Sequence, residues 1–300
     1  MDHNKTPSIK IFEVGLRDGL QNEPQILKTS NKLGLIDRLS ETGIKDIELT
    51  AFANPDLIPT LYDHKDILAL YKKKYGTNYS ALIFNYEGYI NLRKYEFDQF
   101  SVVVSASNTH NIRNINKTIN KTLEDFSIIA KHAKRDNRPF RAYLSCVFGC
   151  PYEGYIDTDS VVNISKKLVS LGACEISISD TIGAGTHQEV SSLFKKLLKF
   201  IPARKLAFHA HGTRGMAMAN ICIALKLGIR TFDSAFGGLG GCPYAYGASG
   251  NISTEDLVSM LYNLGYTTNI NLDKLCQVSL YSKRILNRHI QSKIFSMYNK

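Results

Sequence analysis

The segment FHAHGTRGMAMAN, residues 208–220, sets His209 and His211 one residue apart. The residues before them read as a strand, those after them as a helix, and Gly212 marks the turn. Alternate residues of a strand face the same way, so both imidazoles point to one side. Two imidazoles joined by a carboxylate make a facial metal site with open positions. Neutral imidazole with oxygen donors suits a divalent ion such as Mg²⁺, Mn²⁺, Zn²⁺ or Fe²⁺. In isolation, an H-x-H at a strand end is equally well a pair of ordinary polar residues. What else reaches the same place decides between the two.

The elements that would position such a site recur along the chain. Strand candidates are SIKIFEV (8–14), DIELTAF (46–52), YSALIFN (79–85), QFSVVVSAS (99–107) and RAYLSCVFG (141–149). CEISISDTIG (174–183), KLAFHAHG (205–212) and TFDSAFGG (231–238) follow. Helix-period stretches lie between them. NKLGLIDRLSETG (31–43) places Leu33, Ile36 and Leu39 on one face and ends at a glycine, as a helix C-terminus prefers. SVVNISKKLVSLG (160–172) repeats the pattern, and residues 111–134 form the longest such stretch. Strand–helix units at intervals of about 30 residues predict an α/β fold, a (β/α)8 TIM barrel. An open doubly wound sheet would carry a G-x-G-x-x-G after its first strand, and EVGLRDGLQNEP has none. The expectation is a single catalytic domain over 1–300. The barrel spans about 8–265, and an extra C-terminal helical segment over about 266–300 packs on its outside.

In such barrels catalytic groups come from the C-terminal ends of the strands. Strand 1 ends in Arg17 and Asp18, strand 2 carries Glu48, and strand 5 ends near Ser145 and Cys146. Strand 6 ends in Asp180 and strand 7 in His209 and His211. Strand 8 runs into GGLGGCPYAYGASGN (237–251), a glycine-rich loop with Cys242 and Asn251. Their shared position at one rim favours metal binding by His209, His211 and Asp18.

Bulk properties narrow the classes. The 300 residues are 44% hydrophobic and 21% charged, which is globular. No apolar run approaches the roughly 20 residues of a membrane span. The first ten residues, MDHNKTPSIK, lack the marks of a targeting peptide, so a cytoplasmic protein is expected. The net charge of +10 is spread over helix faces rather than clustered, which argues against nucleic acid as a partner. The same charge would suit a phosphorylated ligand such as coenzyme A. The six cysteines have no zinc-ribbon or redox spacing and are expected to be free thiols.

Taken together, EVGLRDGLQNE (13–23), VVSASNTHNIRNINKTI (103–119), YLSCVFGCPYEG (143–154), SDTIGAGT (179–186), HAHGTRGMAMAN (209–220) and GGLGGCPYAYGASGNISTEDLV (237–258) resemble the hydroxymethylglutaryl-CoA lyases of the DRE-TIM metallolyase superfamily. The resemblance runs from about 8 to about 290, and its last block separates these lyases from the related condensing enzymes. It implies a divalent metal, Mg²⁺ or Mn²⁺, held by Asp18, His209, His211 and Asn251. It implies that Arg17 binds the thioester carbonyl and stabilises the enolate oxygen. Cys242, on a mobile lid, would protonate the departing enolate. Asp180 and Glu48 would handle protons and position groups, and His209 would double as a proton carrier. The implied partner is a small-molecule acyl-CoA, with no membrane, and the implied assembly a homodimer.

The chain departs from the family pattern at several points. Gly212 stands where Asp is usual, which predicts weaker metal affinity or weaker orientation of the histidines. Asn108 replaces a usual Glu, Arg214 a Tyr, and Pro24 a basic residue near the expected coenzyme A site. A related step on another 3-hydroxyacyl-CoA or a 2-keto acid, or a catalytically silent binding protein, is the alternative to the lyase.

Overall fold

The computed structural model describes residues 7–242 and 245–298, with side chains outside 242–249. Eight parallel strands close into a barrel in chain order: β1 (Lys10–Glu13), β2 (Asp46–Ala51), β3 (Asn78–Ile83), β4 (Gln99–Ser105), β5 (Phe140–Ser145), β6 (Glu175–Asp180), β7 (Leu206–Ala210) and β8 (Thr231–Ser234). Closure is made by β8 pairing with β1, Lys10 opposite Thr231 through Glu13 opposite Ser234. Each strand is shorter than its sequence pattern, and the residues by which the pattern overshoots belong to the flanking loops and turns.

The helices around the barrel are α1 (Thr29–Leu39), α2 (His64–Leu70), α3 (Tyr86–Leu92), α4 (Asn108–Ile115), α5 (Ile119–Arg135), α6 (Thr158–Ser170), α7 (His187–Leu198) and α8 (Ala217–Lys226). The long stretch expected as one helix over 111–134 is broken into α4 and α5. Asn116 adopts the left-handed conformation at φ 55°, and Thr118 then caps α5 by accepting from the amide of Lys121. Asn108 serves this corner too, its side chain accepting from the amide of Ile119. α7 opens with a reciprocal capping box between Thr186 and Glu189.

The two faces of the strands differ. Along β6, Ile176 and Ile178 are buried in the main hydrophobic cluster between sheet and helices. Ser177 and Ser179 alternate with them and face the barrel interior, where Ser177 meets Asp233 and Ser179 lines a cavity. β5 repeats the pattern, with Arg141, Tyr143 and Ser145 alternating with Ala142 and Leu144. Branched apolar side chains usually fill such barrels. This interior also holds buried charge, Arg141 and Asp233, beside apolar Leu82 and Val103.

Beyond β8 a short antiparallel pair, β9 (Gly241–Cys242) and β10 (Ala245–Ser249), precedes α9 (Thr254–Asn263), α10 (Leu272–Leu286) and α11 (Lys293–Tyr298). The C-terminal helices pack outside the barrel, α10 against α1 and α9, and α11 against α9. Arg38 of α1 lies 4.0 Å over the ring of Tyr281 at that seam. Among the described residues no helix is long and apolar enough to cross a membrane.

Candidate active site

Arg17 and Asp18 do not sit on β1 itself but on one π-helical turn just after it, Gly15–Gly19. The carbonyl of Val14 accepts from the amides of Arg17, Asp18 and Gly19, which winds the turn. Its base is pinned by Glu13, whose Oε1 accepts from the amides of Gly15 at 2.8 Å and Phe236 at 3.0 Å. A Cβ on Gly15 would lie 2.5 Å from the Phe236 ring, so only glycine fits there.

The turn delivers both side chains to a cavity of about 90 Å³ at the C-terminal end of the barrel. Arg17, Asp18, His209 and His211 line it with Tyr143, and Ser145, Ser179, Thr181 and the apolar Leu82 and Val103 complete the wall. Arg17 is buried, and burial by itself would weaken its charge. Glu48 and Asp18 offset that and keep the guanidinium firmly protonated, Glu48 accepting from Nε and Asp18 from Nη1, each at 2.5 Å. Glu48 does not reach the cavity wall. It lies beneath Arg17, its Oε2 also accepting from the Tyr143 hydroxyl at 3.0 Å. The other oxygen of Glu48 has no hydrogen-bond partner among the described residues.

His209, His211 and Asp18 converge, each offering a ligand atom within 4.8 Å of the others. The far nitrogens of both rings are engaged. Nδ1 of His209 donates to Asp233 at 3.1 Å, and Nδ1 of His211 to the carbonyl of Thr181 at 2.9 Å. With Nδ1 carrying the proton, a neutral ring presents its Nε2 lone pair to the cavity. The two Nε2 atoms face each other at 3.0 Å. Two lone pairs that close beside a carboxylate call for a cation between them, so the donor set fits a metal. Burial, with His209 as neighbour, pushes His211 down to about 4 and keeps it neutral. Burial opposes the Asp18 carboxylate, but Arg17 and the imidazoles hold it well below the usual range. Asn251 completes the group, its amide donating to Asp18 at 2.8 Å. Gly240, at φ 108°, presses against that amide, and a Cβ there would come within 2.8 Å of it.

With Gly212 in place of a carboxylate, each histidine ring still has its own acceptor. Gly212 instead donates its amide to the carbonyl of Gly250 at 2.8 Å, and His211 bridges to Asn251, so the glycine-rich loop is stitched to the end of β7. Arg214 and Pro24 are exposed. Asp180 is not brought to the cavity. Strand parity turns Ser179 and Thr181 inward and Asp180 the other way, where it accepts from the amides of Ala184 and Gly185. Burial raises it to about 6 against those two bonds. Those bonds brace the turn that follows Thr181, whose carbonyl accepts from His211. The backbone of Cys242 forms β9, while its thiol lies outside the described residues. The five cysteines with described side chains are free thiols.

Sequence reasoning missed Asp233, Arg141 and Tyr143. Their signal was present as a period-two polar face in RAYLS and TFDS, on strands that an ordinary barrel would fill with apolar residues.

Comparison with known proteins follows the geometry. The HMGL-like family matches residues 8–281. The chain is 41% identical over 290 residues to the hydroxymethylglutaryl-CoA lyase YngG of Bacillus subtilis, covering 97% of each. A crystal structure of a B. subtilis HMG-CoA lyase superposes with a TM-score of 0.96 at 40% identity, covering 98% of this chain and 99% of that one. An Acinetobacter baumannii HMG-CoA lyase in complex with coenzyme A and 3-methylmalate gives 0.92 at 35% identity, covering 96% and 94%.

Proposed function

The chain belongs to the HMGL-like family, and from that premise we propose that it is a carbon–carbon lyase cleaving 3-hydroxy-3-methylglutaryl-CoA to acetyl-CoA and acetoacetate. The observation that carries this reading is the meeting of a fixed guanidinium, Arg17, with the Asp18–His209–His211 donor set in one cavity.

The reaction is a retro-Claisen cleavage. One proton leaves the tertiary hydroxyl, the C–C bond breaks to a ketone and a thioester enolate, and one proton arrives at the enolate carbon. A divalent cation, Mg²⁺ or Mn²⁺, held by Asp18, His209, His211 and Asn251 would acidify that hydroxyl. Arg17 supplies the charge that grows in value as the enolate oxygen forms. Its rigidity follows from Glu48 and Asp18, which take Nε and Nη1 and leave the rest of the fork for the thioester oxygen. An arginine cannot give up its proton, so it stabilises the enolate without quenching it. Cys242 would protonate the carbon from a loop that closes over the site, excluding water as it does so. His209 cannot hold the cation and take a proton through the same nitrogen at once. Its Nδ1 bond to Asp233 supports the ligand role. Glu48 acts by holding Arg17 and Tyr143. Ser145, Ser179 and Thr181 in the cavity wall suit an acyl chain that carries a carboxylate. We place the protein in the cytoplasm, as a homodimer.

The test is acetoacetate release from 3-hydroxy-3-methylglutaryl-CoA with added Mg²⁺ or Mn²⁺, with EDTA, and with Cys242→Ala. Metal-dependent release that collapses in the variant is expected. Bound metal without release would move the reading to another 3-hydroxyacyl-CoA.

A further inference from the structure

Arg141 enters the barrel from β5 and is fully buried. Its guanidinium is held on every side. Nη1 donates to Asp233 Oδ2 at 3.1 Å and Nη2 makes a short bond to Oδ1. Nε donates to Glu175 at 2.7 Å, and its faces lie 4.1 Å from the Phe12 ring and 4.8 Å from the Tyr143 ring. Glu175 in turn pairs with Lys10 at 2.8 Å, at the N-terminal end of the barrel strands. The column therefore alternates in sign, Lys10, Glu175, Arg141, Asp233, and ends on Nδ1 of His209.

Hydrophobic residues of like volume often replace a buried ion pair without loss of stability. A fork that grips both oxygens of one carboxylate does something a hydrophobe cannot, since it fixes the direction in which that carboxylate accepts. Asp233 Oδ2 receives Arg141, Ser177 at 2.7 Å and His209 at 3.1 Å. With Arg141 locking the plane of Asp233, the acceptor beneath His209 has one orientation, and so does the imidazole.

We propose that Arg141 is a positioning residue for the reaction: by clamping Asp233 it holds His209 with Nδ1 toward the barrel interior and Nε2 toward the cavity. Lysine at this position would keep the charge but lose the fork and free the carboxylate to rotate. The inference rests on His209 serving as a metal ligand, and Mn²⁺ binding by the unaltered protein tests that premise separately.

The experiment compares the parent protein with Arg141→Lys, Arg141→Met/Asp233→Asn and Glu175→Gln. The double variant removes the ion pair together, so no single charge is stranded if the lysine variant fails to fold. Three properties are read: Mn²⁺ affinity without substrate, kcat and KM for the thioester, and the tautomer of His209 by ¹⁵N histidine NMR of the metal-free protein. In Arg141→Lys and the double variant, Mn²⁺ affinity is expected to fall roughly 10–100-fold. In both, kcat falls more than KM rises, and the Nδ1–H form of His209 gives way to a mixture. Glu175→Gln keeps the fork on Asp233 and is expected to stay within about twofold of the parent in affinity. If whichever of the two Arg141 variants folds binds Mn²⁺ as tightly as the parent and keeps its His209 tautomer, Arg141 only fills space and the proposal is overturned. If the parent itself binds no Mn²⁺, the metal reading fails, while the tautomer measurement still decides the role of Arg141.

Discussion

The inward and outward faces of the same eight strands obey different rules. Outward, Ile176 and Ile178 of β6 pack into a continuous apolar layer against the helices. Inward, one residue away, Ser177, Arg141 and Asp233 form a polar column buried from solvent. The outward layer is held by non-directional burial, and a substitution there costs stability in proportion to the volume removed. The inward column is held by directional bonds between fixed partners, and a substitution there costs geometry. Strand alternation thus keeps fold and chemistry apart within each strand. The alternation predicts that a side chain exchanged on one face away from the strand ends has little consequence for the other.

That separation can be attacked from both sides. The largest expected effect is metal removal. Chelation with EDTA should bring thioester cleavage to background and added Mn²⁺ should restore it, while thermal unfolding shifts by only a few degrees. Full activity in EDTA would break the inward half of the comparison. Next is Arg17→Gln, which removes the charge aimed at the enolate oxygen. Its kcat is expected to fall about 10²–10³-fold, as for loss of one preorganised donor. A kcat within tenfold of the parent would show that Arg17 serves mainly to bind.

On the outward face, Ile178→Ala should cost about 2–5 kcal/mol in urea denaturation and leave KM and kcat within about twofold. A kinetic defect in that variant would show that the faces are coupled.

The smallest effect concerns Glu13, where the two regions meet. Burial pushes its carboxyl up from 4.5 to about 8, against bonds from Thr254, Phe236 and Gly15. The folded chain therefore holds a proton here that the unfolded chain loses near pH 4.5, and stability falls as pH rises through the window from 4.5 to about 8. Glutamine can accept from the two amides and donate to Thr254, so Glu13→Gln should flatten that decline by up to about 4 kcal/mol. Parallel curves for parent and variant, measured by urea midpoints from about pH 5 to about pH 8, would show that Glu13 is ionised throughout.

Much of the site was legible in the chain. The spacing of His209 and His211 forces both rings to one side of a strand. The Arg17–Asp18 pair and Glu48 stand where strand–helix alternation places a rim. Asp180 stands at the end of β6 as read, but alternation along the strand turns its carboxylate from the cavity to the Ala184 and Gly185 amides. The acceptor beneath His209 was not legible near Gly212, because it comes from β8, 24 residues on.

By itself the sequence determined the alternation of elements, the pairing of the histidines and the motif that carries Arg17 and Asp18. All of these are set within a few residues, by side-chain period and backbone turn. Only the tertiary structure decided that Arg141 would clamp Asp233 across 92 residues, that Asp233 would hold His209, and that the Gly240 segment would press Asn251 onto Asp18. Period two says which way a side chain points. Which partner it meets depends on closure of the barrel, where β8 returns to β1 and fixes the height of every strand against the others.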